Sequence, residues 1–124
     1  MANISPQYAT AQYVTGDGLT TGAKTLATSD TLPIGAMVTR AIVVAQTACT
    51  SGGAATMAVT VGGAPINSPI ALAKLDTAGW IYAEQLQDLI CVTADNTAIG
   101  VTVADANYTT QMDVAIIVEY FLLA

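Results

Sequence analysis

The sequence predicts an all-β fold: one domain over residues 1–124, built as a two-sheet, jelly-roll-like sandwich of about eight short strands. Three observations carry this expectation. No stretch of ten or more residues sustains the 3.6-residue apolar period of a helix. β-Branched residues are abundant, with 18 Thr among 124 residues beside many Val and Ile. Short apolar runs recur between turn signals built from Gly, Pro, Asp and Asn, which is the rhythm of a sandwich or barrel. Small side chains suit the same picture, because sheets about 10 Å apart are filled without strain when Ala faces Val or Ile.

Taken in chain order, residues 1–7 hold few large apolar side chains and a proline, Pro6, which resists a central strand. Residues 1–15 therefore read as an N-terminal arm or an edge strand, with a short strand over 8–15. Gly16-Asp17-Gly18 is a turn, and residues 23–28 form a second short strand. Residues 29–35 make a corner, since Pro33 has no N–H for a ladder and Gly35 allows unusual dihedrals. Residues 37–46 are the clearest early strand, apolar on both faces through Ala41-Ile42-Val43-Val44-Ala45. Residues 50–53 end it. Residues 56–61 alternate, with Met57, Val59 and Val61 on one face, before a Gly62-Gly63-Ala64-Pro65 turn and a short strand over 70–74. Residues 76–86 read mainly as a long connection, in which 83–86 could begin one helical turn. Strands over 89–93, 99–104 and 113–123 follow, separated by turns at 94–96 and 105–107. From Val114 onward the last strand is apolar on both faces except for Glu119.

Composition narrows the function classes. The chain is 53% hydrophobic, yet only twelve residues are charged, and the net charge is −6. Its longest apolar run, residues 114–124, is too short for a hydrocarbon core that needs about 20 residues, so an assembly subunit is favoured over a membrane protein. Lys24, Arg40 and Lys74 are the three cations, too few and too scattered to neutralise phosphates or anionic lipid, which argues against nucleic-acid and membrane partners. The N-terminus lacks a basic region and apolar core, so secretion is not indicated, and Cys49 and Cys91 are expected as two buried free thiols.

Catalytic chemistry finds little to work with. There is no histidine, which removes Ser-His-Asp, Cys-His and His-metal arrangements. The Gly-rich segments lack the Lys and helix of a phosphate cradle, and neither Asp95-Asn96 nor Asp105-Asn107 has calcium-loop spacing. The expectation is a protein that is not an enzyme and needs no cofactor or metal. Its candidate contact residues are aromatic: Tyr8 and Tyr13 in the N-terminal segment, Trp80 and Tyr82 in the long connection, and Phe121 in the last strand. Trp80, Tyr82, Tyr108 and Phe121 would be the stacking set if the ligand were a glycan.

Three segments carry a resemblance. Leu32-Pro33-Ile34-Gly35-Ala36-Met37-Val38-Thr39-Arg40-Ala41, then Thr50-Ser51-Gly52-Gly53-Ala54-Ala55-Thr56, then Val114-Ala115-Ile116-Ile117-Val118-Glu119-Tyr120 are together similar to small virion proteins of tailed bacteriophages, the capsid decoration or cement proteins. The resemblance implies a β-sandwich or jelly-roll subunit, commonly a homotrimer, made in the host cytoplasm and bound to the outer face of the capsid. There it would hold neighbouring capsomers of the major capsid protein together. Related segments also occur in head-fibre and tail-fibre modules, so binding of a host receptor or glycan is the alternative it implies.

Overall fold

The computed structural model describes residues 5–66, 70–71, 78–79, 81–109 and 113–122, and for residues 71 and 81–90 the description is confined to the backbone. Among the described residues there are eleven strands: β1 (Pro6–Val14), β2 (Gly22–Thr25), β3 (Thr28–Ser29), β4 (Thr31–Leu32), β5 (Ala36–Ala45), β6 (Thr56–Val61), β7 (Ala64–Pro65), β8 (Ile70–Ala71), β9 (Ile81–Cys91), β10 (Thr97–Ala104) and β11 (Asp113–Leu122). One short 3-10 turn, Thr15–Asp17, follows β1. The fold is all-β, as the missing helical period requires.

The strands form two antiparallel sheets. The first has the order β3-β1-β11-β5-β9; the second runs β2-β10-β6-β7, with β4 also on β10 and β8 on β6. The inner faces meet in one core. Tyr13, Val38, Val43, Val114, Ile116 and Val118 of the first sheet, and Met57, Val59 and Val101 of the second, are wholly excluded from solvent. Ala9, Ala11, Ala41 and Ala45 fill the narrower places between them. The accessible surface, 6358 Å², is close to the roughly 6,200 Å² expected of a compact monomer of this mass. The core is therefore closed within one chain, and the apolar surplus of the sequence lies on a face rather than in an open interior.

Several local expectations change. Residues 6–14 are neither an arm nor separate from the core: β1 pairs with β11 from Pro6↔Phe121 to Val14↔Asp113 and sends Ala9, Ala11 and Tyr13 inward. Pro6 is tolerated because it is the first residue of the strand. The connection expected over 76–86 is in large part strand, because β9 begins at Ile81 and carries no helical turn at 83–86. Its alternation is obscured by an irregularity. Val38 pairs with Ile90 and Arg40 with Gln85, so β9 takes five steps where β5 takes two. The corner at 29–35 contains β3 and β4, each two residues long.

Two glycine features fix the second sheet. Gly62 and Gly63 sit at φ 62° and 86° and join β6 to β7 as a two-residue hairpin, whose turn requires positive φ at both positions. Gly100 on β10 is needed for a different reason. A Cβ there would lie 2.8 Å from Thr60 Oγ1 and 3.0 Å from the Lys24 carbonyl oxygen, so only a bare Cα lets β2 and Thr60 close over it.

The inner and outer faces of β11 should respond differently to truncation. Ile116→Ala empties a fully buried site and is expected to cost about 2–5 kcal/mol, whereas the half-buried Ile117→Ala is expected to cost under about 1.5 kcal/mol. Urea unfolding of the two variants checks this, and equal losses would contradict the assignment of faces.

Candidate functional site

The outward face of the five-stranded sheet is where exposed aromatic, apolar and charged side chains meet. Along β11, Val114, Ile116, Val118 and Tyr120 are buried, while Ala115, Ile117, Glu119 and Phe121 are only partly covered. Register then builds rows across this face. Thr10, Ile117 and Ile42 lie side by side; the next row is Tyr8, Glu119 and Arg40; the next is Pro6, Phe121 and Met37, continued by Cys91 on β9. The sequence flagged this second face of β11 as apolar. Its neighbours on β5 could not be read off, because they depend on a β-bulge.

That bulge lies at Thr39. Val38 and Ala41 are both buried, and the two residues between them are both partly exposed, so strict alternation fails there. On β11, Glu119 pairs with Arg40 and Tyr120 with Val38, which leaves Thr39 as the extra residue. Arg40 takes the outward parity that Ala41, Val43 and Ala45 set, and the extra residue lets Val38 and Ala36 also stay inside, so Thr39 and Arg40 both lie on the outward face.

Glu119 is the polar centre of the face. Its Oε1 accepts the Thr39 hydroxyl at 2.9 Å and its Oε2 accepts the Tyr8 hydroxyl at 3.3 Å. Arg40 Nε lies 3.8 Å from Oε1, an ion pair rather than a hydrogen bond. The two partners are unequally covered: the Glu119 side chain is 14% exposed, that of Arg40 43%. Tyr8, at 55%, is one of the two most exposed large apolar residues described; the other is Ile34, at 54%.

The other described carboxylates are committed to holding loops and strand edges. Asp17 accepts the main-chain N–H groups of Val14 and Ala27, each at 3.0 Å. Asp30 accepts both the N–H and the hydroxyl of Thr10, and Asp95 accepts the Ile34 N–H. Asp105 accepts the Thr56 hydroxyl, and Asp113 accepts Gln12 Nε2. Those to Val14, Ala27, Thr10 and Ile34 satisfy main-chain donors at a turn or an edge. Among the described residues no group of three or more His, Cys, Asp or Glu is placed to hold a metal ion.

The residues expected at an interface separate into groups. Tyr8 and Phe121 lie on the open face, two rows of one patch. Tyr13 does not: it is fully buried, donates its hydroxyl to the Gly18 carbonyl, and meets Tyr108 edge-on at 6.5 Å. Register explains this, since Ala9 and Ala11 point inward and Tyr13 shares their parity. Tyr108 is also buried, at 2% exposure, and so is withdrawn from any stacking surface. The backbone of Tyr82 lies in β9 opposite Val43, and Trp80 falls outside the described residues. The residues that sequence reading missed are Arg40, Met37, Ile42, Ile117 and Glu119. Neither cysteine forms a disulfide, as expected, but Cys49 is buried and Cys91 exposed. Cys91 borders a hollow of about 310 Å³ lined also by Val61, Gly62, Val92 and Thr97. A thiol reagent should accordingly modify one cysteine of the native protein and both after denaturation, with mass spectrometry placing the first adduct at Cys91.

The tyrosine pair has a titration consequence. Burial, then the charge of Asp17, pushes the Tyr13 phenol from 10 up to about 12, and burial raises Tyr108 further. The native state thus prefers the neutral phenols. Their contribution is complete below pH 10 and is lost as pH rises through about 12 for Tyr13. The melting temperature should fall steeply above pH 10, and less steeply in Tyr13→Phe/Tyr108→Phe. Tyr108 Oη is buried without a hydrogen-bond partner, so Tyr108→Phe alone should melt no lower than wild type at pH 7.

No protein-family model matches the chain, and a search of curated proteins finds no match. Solved structures do share its fold. A chain of the cyanophage Pam1 capsid asymmetric unit superposes with a TM-score of 0.65 at 22% identity, covering 97% of this chain and 86% of that one. A chain of the acid-stable capsid of Helicobacter pylori bacteriophage KHP30 gives 0.59 at 15% identity, covering 98% and 94%. At these identities the likeness is one of fold. It extends over nearly the whole of each chain, so it is the sandwich and its connections that are shared rather than a common hairpin.

Proposed function

We propose that this chain is a structural subunit of a bacteriophage virion, bound to the outer surface of the capsid, where it stabilises the shell by bridging capsomers of the major capsid protein. The observation that carries the reading is the end-to-end fold likeness to chains of two phage capsid structures. The molecule itself is consistent with it. Its core is closed within one chain, while one sheet presents a face of Tyr8, Arg40, Met37 and Phe121, residue types enriched at protein interfaces. The described acidic side chains each accept a hydrogen bond within the chain. A subunit of this kind needs rigidity and a repeated contact, since symmetry multiplies modest interfaces into firm attachment. Assembly as a homotrimer belongs to the same proposal. The glycan-binding alternative is less favoured, because Tyr108, one of its four stacking residues, is buried.

The test uses particles of the encoding phage that lack this protein. Purified protein added to them should co-sediment saturably and raise the temperature at which they rupture. A protein that stays in the supernatant, with rupture unchanged, would overturn the virion reading. Sedimentation equilibrium addresses the trimer separately: a mass near 12.6 kDa at micromolar concentration would refute it.

A further inference from the structure

We propose that the open face of the five-stranded sheet docks an apolar protein surface carrying a carboxylate, that Arg40 reads that carboxylate, and that the partner is a shell protein rather than a second copy of this chain. The proposal rests on the virion reading above and names the partner chemistry of the same face. Its starting point is the bulge. β5 accommodates an extra residue at Thr39, so that Thr39 and Arg40 both lie on the open face between the buried Val38 and Ala41. β-Bulges recur where a strand must re-aim one side chain.

The second observation is an unequal ion pair. Glu119 is nearly covered and already accepts from Thr39 and Tyr8, so its capacity is largely used within the chain. Arg40 makes no hydrogen bond among the described residues. Its Nε is buried without a hydrogen-bond partner, and with the side chain 43% exposed it is the outer part of the guanidinium that meets solvent. A guanidinium presents a planar fork of donors suited to a carboxylate, and here Glu119 is too far and too occupied to take them. Among the described residues the site is therefore short of an acceptor, not of a donor. Ile42 and Ile117 flank it in one adjacent row and Met37 and Phe121 in the other, so the missing acceptor must arrive inside an apolar contact that excludes water.

The occupant follows from charge. A nucleic acid would need several cations on this face, and Arg40 is the sole one described there; Lys24 lies on the other sheet and donates to Thr20. A second copy would have to bring a carboxylate of its own. The six whose side chains are described each already accept a donor within their own chain, so none of these six is unengaged. A different chain with an unencumbered Asp or Glu in an apolar patch fits better.

The experiment measures binding of wild type, Arg40→Gln, Arg40→Lys, Arg40→Glu and Ile117→Ser to particles lacking the protein, at rising salt, with circular dichroism, melting temperature and sedimentation mass recorded for each. The expected result is folded variants of unchanged mass. Binding should weaken about 10-fold for Arg40→Gln, less for Arg40→Lys, and 100-fold or more for Arg40→Glu, with the wild-type salt dependence reduced in Arg40→Gln. Wild type that binds while all four folded variants bind equally would overturn the docking face. Loss of oligomer mass in the Arg40 variants would overturn the choice of partner, because the face would then join copies of this chain. Wild type that fails to bind at all would instead sink the virion reading on which the proposal stands. If Arg40→Glu unfolds through repulsion from Glu119, Arg40→Gln decides the matter alone.

Discussion

Everything in the first sheet depends on β11 lying between β1 and β5. Its inward residues Val114, Ile116 and Val118 are shut off from solvent by contact with both neighbours and with the second sheet. The strand that completes the core is the last in the chain, and one of its partners, β1, is the first. Residues 6–14 must therefore find residues 113–121 across the whole length of the molecule. Closing a loop of that size costs entropy that no local contact returns, so the core forms only when the ends meet. In exchange, the two ends of the described chain are tied into one sheet.

The acidic composition has a structural meaning that net charge conceals. Six of the described carboxylates accept hydrogen bonds inside the chain, three of them (Asp17, Asp30 and Asp95) from main-chain N–H groups at turns or strand edges that would otherwise go unpaired. Asp30 is the clearest case. Its carboxylate takes the Thr10 N–H while its own N–H is given to the Thr10 carbonyl, so the edge of β1 is closed where the two-residue β3 stops. With Pro6 lacking an N–H farther along, that edge has little left to offer an incoming strand.

The bulge at Thr39 joins these two themes. A β-strand buried on one side by a second sheet cannot place a guanidinium inward without an unpaired charge in the core. One extra residue shifts parity, so the same strand has Val38 and Ala41 in the core and both Thr39 and Arg40 on the face. The face then combines a cation short of an acceptor with flanking apolar rows. Neither part would serve alone: the apolar rows supply burial without orientation, and the cation supplies orientation without burial.

The sequence by itself determined the β class, the main turns, the inward set Met57, Val59 and Val61, and the absence of histidine chemistry, because these follow from composition and from alternation over a few residues. It also placed Tyr8 and Phe121 among the contact candidates. It misplaced Tyr13 and Tyr108, and it read most of β9 as connection. Those errors share one cause. Which parity of a strand faces inward, and whether an irregular stretch is strand at all, depends on register against a partner far away in sequence: Tyr13 is buried because Val114 lies opposite it. Arg40 was invisible as a site residue for the same reason, since a bulge is a relation between two strands and has no signature in one. Tertiary structure alone decided which of two apolar faces of β11 became core, because only the second sheet, packed on one side of it, makes the faces different.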